Sequence, residues 1–214
     1  MDSLRFNTPF SMGVFGRREC GKTYFVTKLL MNQERLINKP FKKVIWIYKS
    51  YQSDVYEKLS SIHNLETEFM DDLPNFDAMG KQINTLIVID DMQTEATCND
   101  QVSALFTRGR HLNFSVIYLS QNLFHQGKYA RDISLNIDFL VLLKNPRDVT
   151  TIDVLSRQMY PHMKKFLPWA YNDAVNNDKY GHLILDLKPY TDNSMRVFSK
   201  IFDQFPIVYV PRNL

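Results

Sequence analysis

The chain has 214 residues, 44% of them hydrophobic and 23% charged, which excludes a disordered polypeptide. Its 26 Lys and Arg against 23 Asp and Glu leave a formal charge of +3, too little for a protamine-like packaging protein and no bar to a nucleic-acid partner. Two cysteines, Cys20 and Cys98, exclude a disulfide framework and fit a reducing compartment. The opening residues carry no apolar run behind a basic start, so no secretory signal is expected. Every apolar stretch falls far short of the roughly 20 residues that span a bilayer, so no membrane partner is expected.

In chain order, residues 10–15 form a short apolar run that stops at Gly16. Residues 22–37 follow as a helix, with Phe25, Leu29, Leu30 and Leu36 on one side. Further apolar runs at 44–48, 86–89, 116–119, 139–143 and 183–185 are short and rich in β-branched or aromatic residues, which predicts strands. They are continuous rather than alternating, as strands covered on both faces are. Helices are predicted over 100–107, over 147–159 with Val149, Ile152, Leu155 and Met159 at helical spacing, and over 161–174. In the last of these Pro161 suits the first turn and Pro168 can kink it. Strands alternating with helices predict an open, mainly parallel α/β sheet. No linker or repeat divides the chain, so one domain is expected, with a core of about residues 10–190 and a less regular tail over 190–214. Residues 207–210 of that tail are a candidate edge strand.

The segment Gly16-Arg17-Arg18-Glu19-Cys20-Gly21-Lys22-Thr23 fits the phosphate-loop pattern G-x-x-x-x-G-K-[ST]. It lies between a predicted strand and a predicted helix, the context in which the motif has meaning. The two glycines let the backbone turn tightly and aim N–H groups at phosphate oxygens, and the helix start adds partial positive charge. Lys22 can reach the β- and γ-phosphates, and the Thr23 hydroxyl can ligate Mg²⁺. Cys20 reads as a small filler.

The apolar run 86–89 ends in Asp90 and Asp91, a Walker B pattern. Asp90 at the strand edge can hold Mg²⁺ beside Thr23, and Asp91 is placed to orient or deprotonate the attacking water. Two adjacent acids are a weak signal alone; after a phosphate loop they favour ATP hydrolysis. Glu95 is the second base candidate. The strand at 116–119 runs into Ser120, Gln121 and Asn122, and Gln121 can touch the γ-phosphate or the water. Upstream lie Arg108, Gly109, Arg110 and His111. A guanidinium stabilises charge on phosphoryl oxygens, though an isolated Arg-Gly-Arg is more often solvated surface. Gly109 favours a turn or loop there.

This order of features resembles the genome-packaging ATPases of double-stranded DNA viruses, the poxvirus-like branch of the FtsK–HerA superfamily that includes virophage and Polinton-like members. The matching residues are 16–23, 86–91, 106–111 and 115–122, and the likeness spans roughly residues 10–150. The resemblance implies a RecA-like P-loop NTPase of the additional-strand class, using ATP and Mg²⁺. It implies a homo-oligomeric ring, pentamer or hexamer, that translocates double-stranded DNA into a capsid and meets capsid vertex proteins. It implies Gln121 as a sensor and Arg108 or Arg110 as a finger supplied to a neighbour. It also implies the cytoplasm or viral factory of an infected cell, or association with the virion. Cellular members usually follow the metal acid with Glu; here Asp91 stands in that place.

Lys42, Lys43, Arg147, Lys164 and Lys165 are candidate DNA contacts, with solvated surface as the blander reading. His63, His111, His125, His162 and His182 make no metal-ligand spacing with the cysteines, so no zinc site is expected. Two other functions fit a phosphate loop. One is a nucleotide or nucleoside kinase, which needs an arginine-rich lid after the fourth strand. The other is a nucleotide-dependent capsid assembly factor without turnover.

Overall fold

The computed structural model describes residues 4–50, 53–123 and 126–211. His125, and the outermost three residues of the readings made at each chain end, lie outside the described residues. The strands are β1 (Ser11–Phe15), β2 (Lys43–Tyr48), β3 (Glu66–Met70), β4 (Thr85–Asp90), β5 (Phe114–Ser120), β6 (Phe139–Leu143), β7 (His182–Asp186), β8 (Val197–Ser199) and β9 (Ile207–Tyr209). They form one sheet in the order β3-β2-β4-β5-β1-β6-β7-β8-β9. From β3 to β6 all neighbours are parallel. The pairs β6–β7, β7–β8 and β8–β9 are antiparallel.

Helices cover both faces, which is why the central strands read as unbroken apolar runs: every residue of β1, β4, β5 and β6 is buried. On one face α1 (Lys22–Met31), α2 (Gln33–Leu36) and α3 (Ser53–Ser60) pack Phe25, Leu29, Leu36 and Leu59 against Met12, Val14, Leu86 and Val88. On the other lie α4 (Gln93–Cys98), α5 (Asp100–Arg108), α6 (Ala130–Leu135), α7 (Thr150–Met159) and α8 (Phe166–Asn176). They bring Ala96, Phe106, Ile133, Ile152 and Leu167 against Ile87, Ile89 and Val116. Among the described residues no helix is long and apolar enough to cross a membrane.

Several predicted elements shift. The helix expected over 22–37 breaks at Asn32, whose φ of −109° leaves the helical region while its Nδ2 donates to Lys28 O at 2.8 Å. The helix expected from Pro161 starts at Phe166. Pro161 instead terminates α7, as a proline does by pushing the residue before it, Tyr160, out of helical geometry. Pro168 falls in the first turn of α8, where its missing N–H costs no helical bond, so it makes no kink. Val149 precedes α7 and is exposed. The tail joins the sheet through both β8 and β9.

The parallel strands bring their C-terminal ends to one edge, where open α/β sheets bind ligands. The loop after β1, the end of β4 and the residue after β5 all lie there.

Candidate active site

The loop from Gly16 to Gly21 leaves β1 and enters α1. A Cβ on Gly16 would meet Cys20 Sγ at 2.5 Å and Leu143 Cβ at 2.9 Å, so only glycine fits there. Gly21 has φ +102°, a conformation side chains rarely adopt. No side chain caps α1, so its first N–H groups face the cleft uncommitted. Lys22 Nζ donates to Gly16 O at 3.0 Å and Arg17 O at 3.2 Å, which holds the ammonium across the loop. Gly16 N donates to Ser120 O at 3.3 Å and ties the loop to the end of β5.

Thr23 Oγ1 donates to Asp90 Oδ2 at 3.3 Å, so hydroxyl and carboxylate face one point. Asp90 is buried, and burial pushes its pKa up to about 6, with the Lys22 charge and the Thr23 bond opposing. Hard oxygen donors so placed suit a divalent cation such as Mg²⁺. A carboxyl raised on folding contributes stability that is complete below its unfolded value and is lost as pH climbs through the folded one. Without metal, the parent protein is expected to lose up to about 3 kcal/mol between pH 4 and 7 relative to Asp90→Asn. Thermal melts of the two proteins across that range check this; parallel curves contradict it.

Asp91 follows in left-handed backbone, φ +56°, and is exposed in the same cleft. A short Asp tolerates that conformation better than Glu does, which gives a backbone reason for an aspartate here. Gln121 Nε2 lies 3.5 Å from Asp91 Oδ1. Glu95, the rival, stands on α4, is ion-paired to Lys49 just after β2, and is held below the usual carboxylate range by that bond. The open cleft, about 500 Å³, is lined by Arg18, Glu19, Gly21, Lys22, Thr23, Asp90, Asp91 and Gln121. Arg17 is exposed on the same loop. Cys20 is a half-buried free thiol whose pKa burial raises, the opposite of a reactive thiolate. Tyr24, Asp54, Lys58 and Tyr180 also line the cleft and were not singled out from sequence. Tyr24 adjoins the motif and was readable; Tyr180 arrives from the loop before β7.

The arginines are not at this cleft. Gly109 keeps helical backbone (φ −56°), so α5 continues into a 3-10 turn over Gly109–Leu112 in place of the expected loop. That turn precedes the start of β5, the opposite sheet edge from the phosphate loop. Seven residues of β5 at about 3.3 Å each separate the two ends by roughly 20 Å. Arg110 pairs with Asp138, whose Oδ2 also accepts from Ser11 N at 2.8 Å and Ser11 Oγ at 3.0 Å. Arg108 is exposed and has no such partner among the described residues. Of the candidate DNA contacts, Lys43 is engaged by Glu66 and Glu68, while Lys42, Arg147, Lys164 and Lys165 are exposed.

β5 stands between the phosphate-loop strand β1 and the acid-tipped strand β4, the insertion for which the additional-strand class is named. With the glycine-rich loop and its lysine, this defines a RecA-like P-loop NTPase fold. The chain belongs to the poxvirus A32 protein family, which matches residues 1–165. Among solved structures it is similar to the genome packaging NTPase B204 from Sulfolobus turreted icosahedral virus 2. The form with sulfate gives 14% identity over 96% of this chain and 98% of that one, TM-score 0.54. The form with ATP-gammaS gives 13% identity over 95% and 98%, TM-score 0.52. It is also similar to EssC (ATPases 2 and 3) from Geobacillus thermodenitrificans, 12% identical over 96% of this chain and 40% of that one, TM-score 0.56. At these identities the likeness is one of fold. No curated protein sequence matches the chain.

Proposed function

We propose that this protein is an ATP-hydrolysing motor that moves double-stranded DNA into a viral capsid. The observation that carries the reading is the convergence of Lys22, Thr23, Asp90, Asp91 and Gln121 on one cleft at the sheet edge. Membership of the poxvirus A32 protein family and a fold shared with a viral genome packaging NTPase support the DNA substrate. Thr23 and Asp90 would hold Mg²⁺, which when bound neutralises phosphate charge. Gly16 to Gly21 and the start of α1 cradle the phosphates, and Lys22 offsets their charge. Asp91 accepts the proton of the attacking water, and Gln121, bonded to it, orients that water and senses the γ-phosphate.

The protein works in this reading as a homo-oligomeric ring, pentamer or hexamer, at a capsid vertex in an infected cell. Residues 1–214 form one ATPase domain, a view supported by the single sheet that takes in β8 and β9. The kinase alternative finds little support: the segment after β5, residues 121–138, holds one arginine, Arg131. ATP turnover measured with and without long linear duplex DNA tests the proposal. Stimulation by the duplex is expected. Phosphorylation of a nucleoside or nucleotide instead would move the protein to the kinases, and binding without turnover to the assembly factors.

Asp91→Asn is expected to lower turnover by about 10²–10⁴-fold, the range of a general base, while nucleotide still binds. Asn suits the same left-handed backbone, so the variant isolates the chemistry. Glu95→Gln should stay near the parent rate. The reverse pattern in steady-state kinetics would reassign the base to Glu95.

A further inference from the structure

Beside the phosphate loop stand two tyrosines that phosphate binding and hydrolysis leave without a role. Tyr24 follows Thr23 directly and is 41% exposed. Tyr180 comes from the loop between α8 and β7, and its ring lies against Gly21: a Cβ there would sit 2.6 Å from Tyr180 Cδ1. The two rings are 4.5 Å apart between centroids and tilted by 31°. Both line the cleft that holds Lys22 and Asp90. Tyr180 is half-buried, and neither ring belongs to the buried clusters, so neither core needs the pair. A second recess, lined by Tyr24, Phe25, Lys28, Tyr180 and His182, adjoins the pair and is far smaller than the phosphate cleft, about 50 Å³ against about 500 Å³.

From this arrangement we infer that Tyr24 and Tyr180 form the stacking platform for the nucleobase of the bound nucleotide, on the open side of the pair. The inference rests on the nucleotide reading of the cleft and adds the part of the ligand that the phosphate loop does not touch. The phosphate loop recognises phosphate, whatever is attached to it. A planar base finds, one residue beyond Thr23, two rings in contact at 4.5 Å and tilted by 31°, and it packs onto them. Every base has a π-face, so the platform separates nucleotides from inorganic phosphates more strongly than one base from another.

The test uses the full chain and two probes, ATP and inorganic tripolyphosphate, each with Mg²⁺. Dissociation constants are measured by calorimetry for the parent, Tyr24→Ala, Tyr180→Ala and the two Phe variants. A stacked base is worth about 1–3 kcal/mol, so each Ala variant should weaken ATP binding by roughly 5- to 150-fold. Tripolyphosphate binding should stay within about twofold of the parent, and both Phe variants should bind ATP like the parent because the ring is kept. ATP binding unchanged in both Ala variants overturns the platform. So does tripolyphosphate weakened by the same factor as ATP, which would make the rings braces for Gly21. A parent that binds tripolyphosphate as tightly as ATP also overturns it while leaving the phosphate loop in place; a parent that binds neither removes the nucleotide reading itself.

Discussion

Lys22→Ala is expected to lower ATP turnover by at least about 10²–10³-fold while the fold survives, the scale of losing one preorganised charge at a phosphoryl group. The side chain makes no core contact: its ammonium bonds to two loop carbonyls, Gly16 O and Arg17 O. Losing those bonds costs about 1–3 kcal/mol at most, within the stability of a domain this size. The loss of function has two physical sources. One is the missing positive charge on the phosphates. The other is Asp90, whose raised pKa is held down in part by Lys22. Without that charge the carboxyl rises further and is less available as a carboxylate for a cation at neutral pH. Circular dichroism and a melting curve check the fold, and a coupled phosphate assay checks turnover. A variant hydrolysing ATP at a near-normal rate would remove the phosphate loop from the mechanism.

The second large effect concerns the arginines. Arg108→Ala is expected to lower turnover by about 10³–10⁵-fold, the range of a guanidinium supplied to the phosphoryl group in other systems. Such an effect cannot arise within one subunit, because Arg108 sits at the sheet edge opposite the cleft. It requires a neighbour in a ring. Arg110 acts differently, by neutralising Asp138, a buried carboxylate that fastens the start of β1 through Ser11. Arg110→Ala should therefore lower the melting temperature, since it strips the partner from a buried charge. The trans role is read by mixing. Arg108→Ala subunits keep an intact phosphate loop, and Lys22→Ala subunits keep an intact finger. Mixed rings should recover part of the turnover that each lacks alone. No recovery at any ratio, with mixed rings demonstrated, would end the trans assignment. Full turnover by a demonstrably monomeric protein would end the ring mechanism.

The central strands were legible in the sequence because burial on both faces writes them as unbroken apolar runs. β3 was not, because Glu66, Thr67 and Glu68 alternate on an exposed sheet edge. β8 was missed because three residues between Arg196 and Lys200 carry too little pattern to register. The helix boundaries slipped where a local interaction outweighed apolar spacing, as with the Asn32 side chain bonding back to Lys28 O. The phosphate loop and Asp90 were legible because their chemistry is written within a few consecutive residues. Gln121 was legible as a strand-end amide able to reach the γ-phosphate, but its 3.5 Å approach to Asp91 was not, since that depends on β5 lying between β4 and β1. Neither the pairing of Arg110 with Asp138 nor the meeting of Tyr24 with Tyr180 leaves a local trace, because each depends on a partner far along the chain.

Motion along duplex DNA is the claim on which the account stands, and displacement of a third strand measures it directly. A linear duplex carrying a short labelled triplex-forming strand is incubated with the protein, ATP and Mg²⁺. A translocating motor strips the third strand at a rate that follows ATP concentration, and Lys22→Ala leaves it in place. Sustained ATP hydrolysis with the triplex intact would contradict the account.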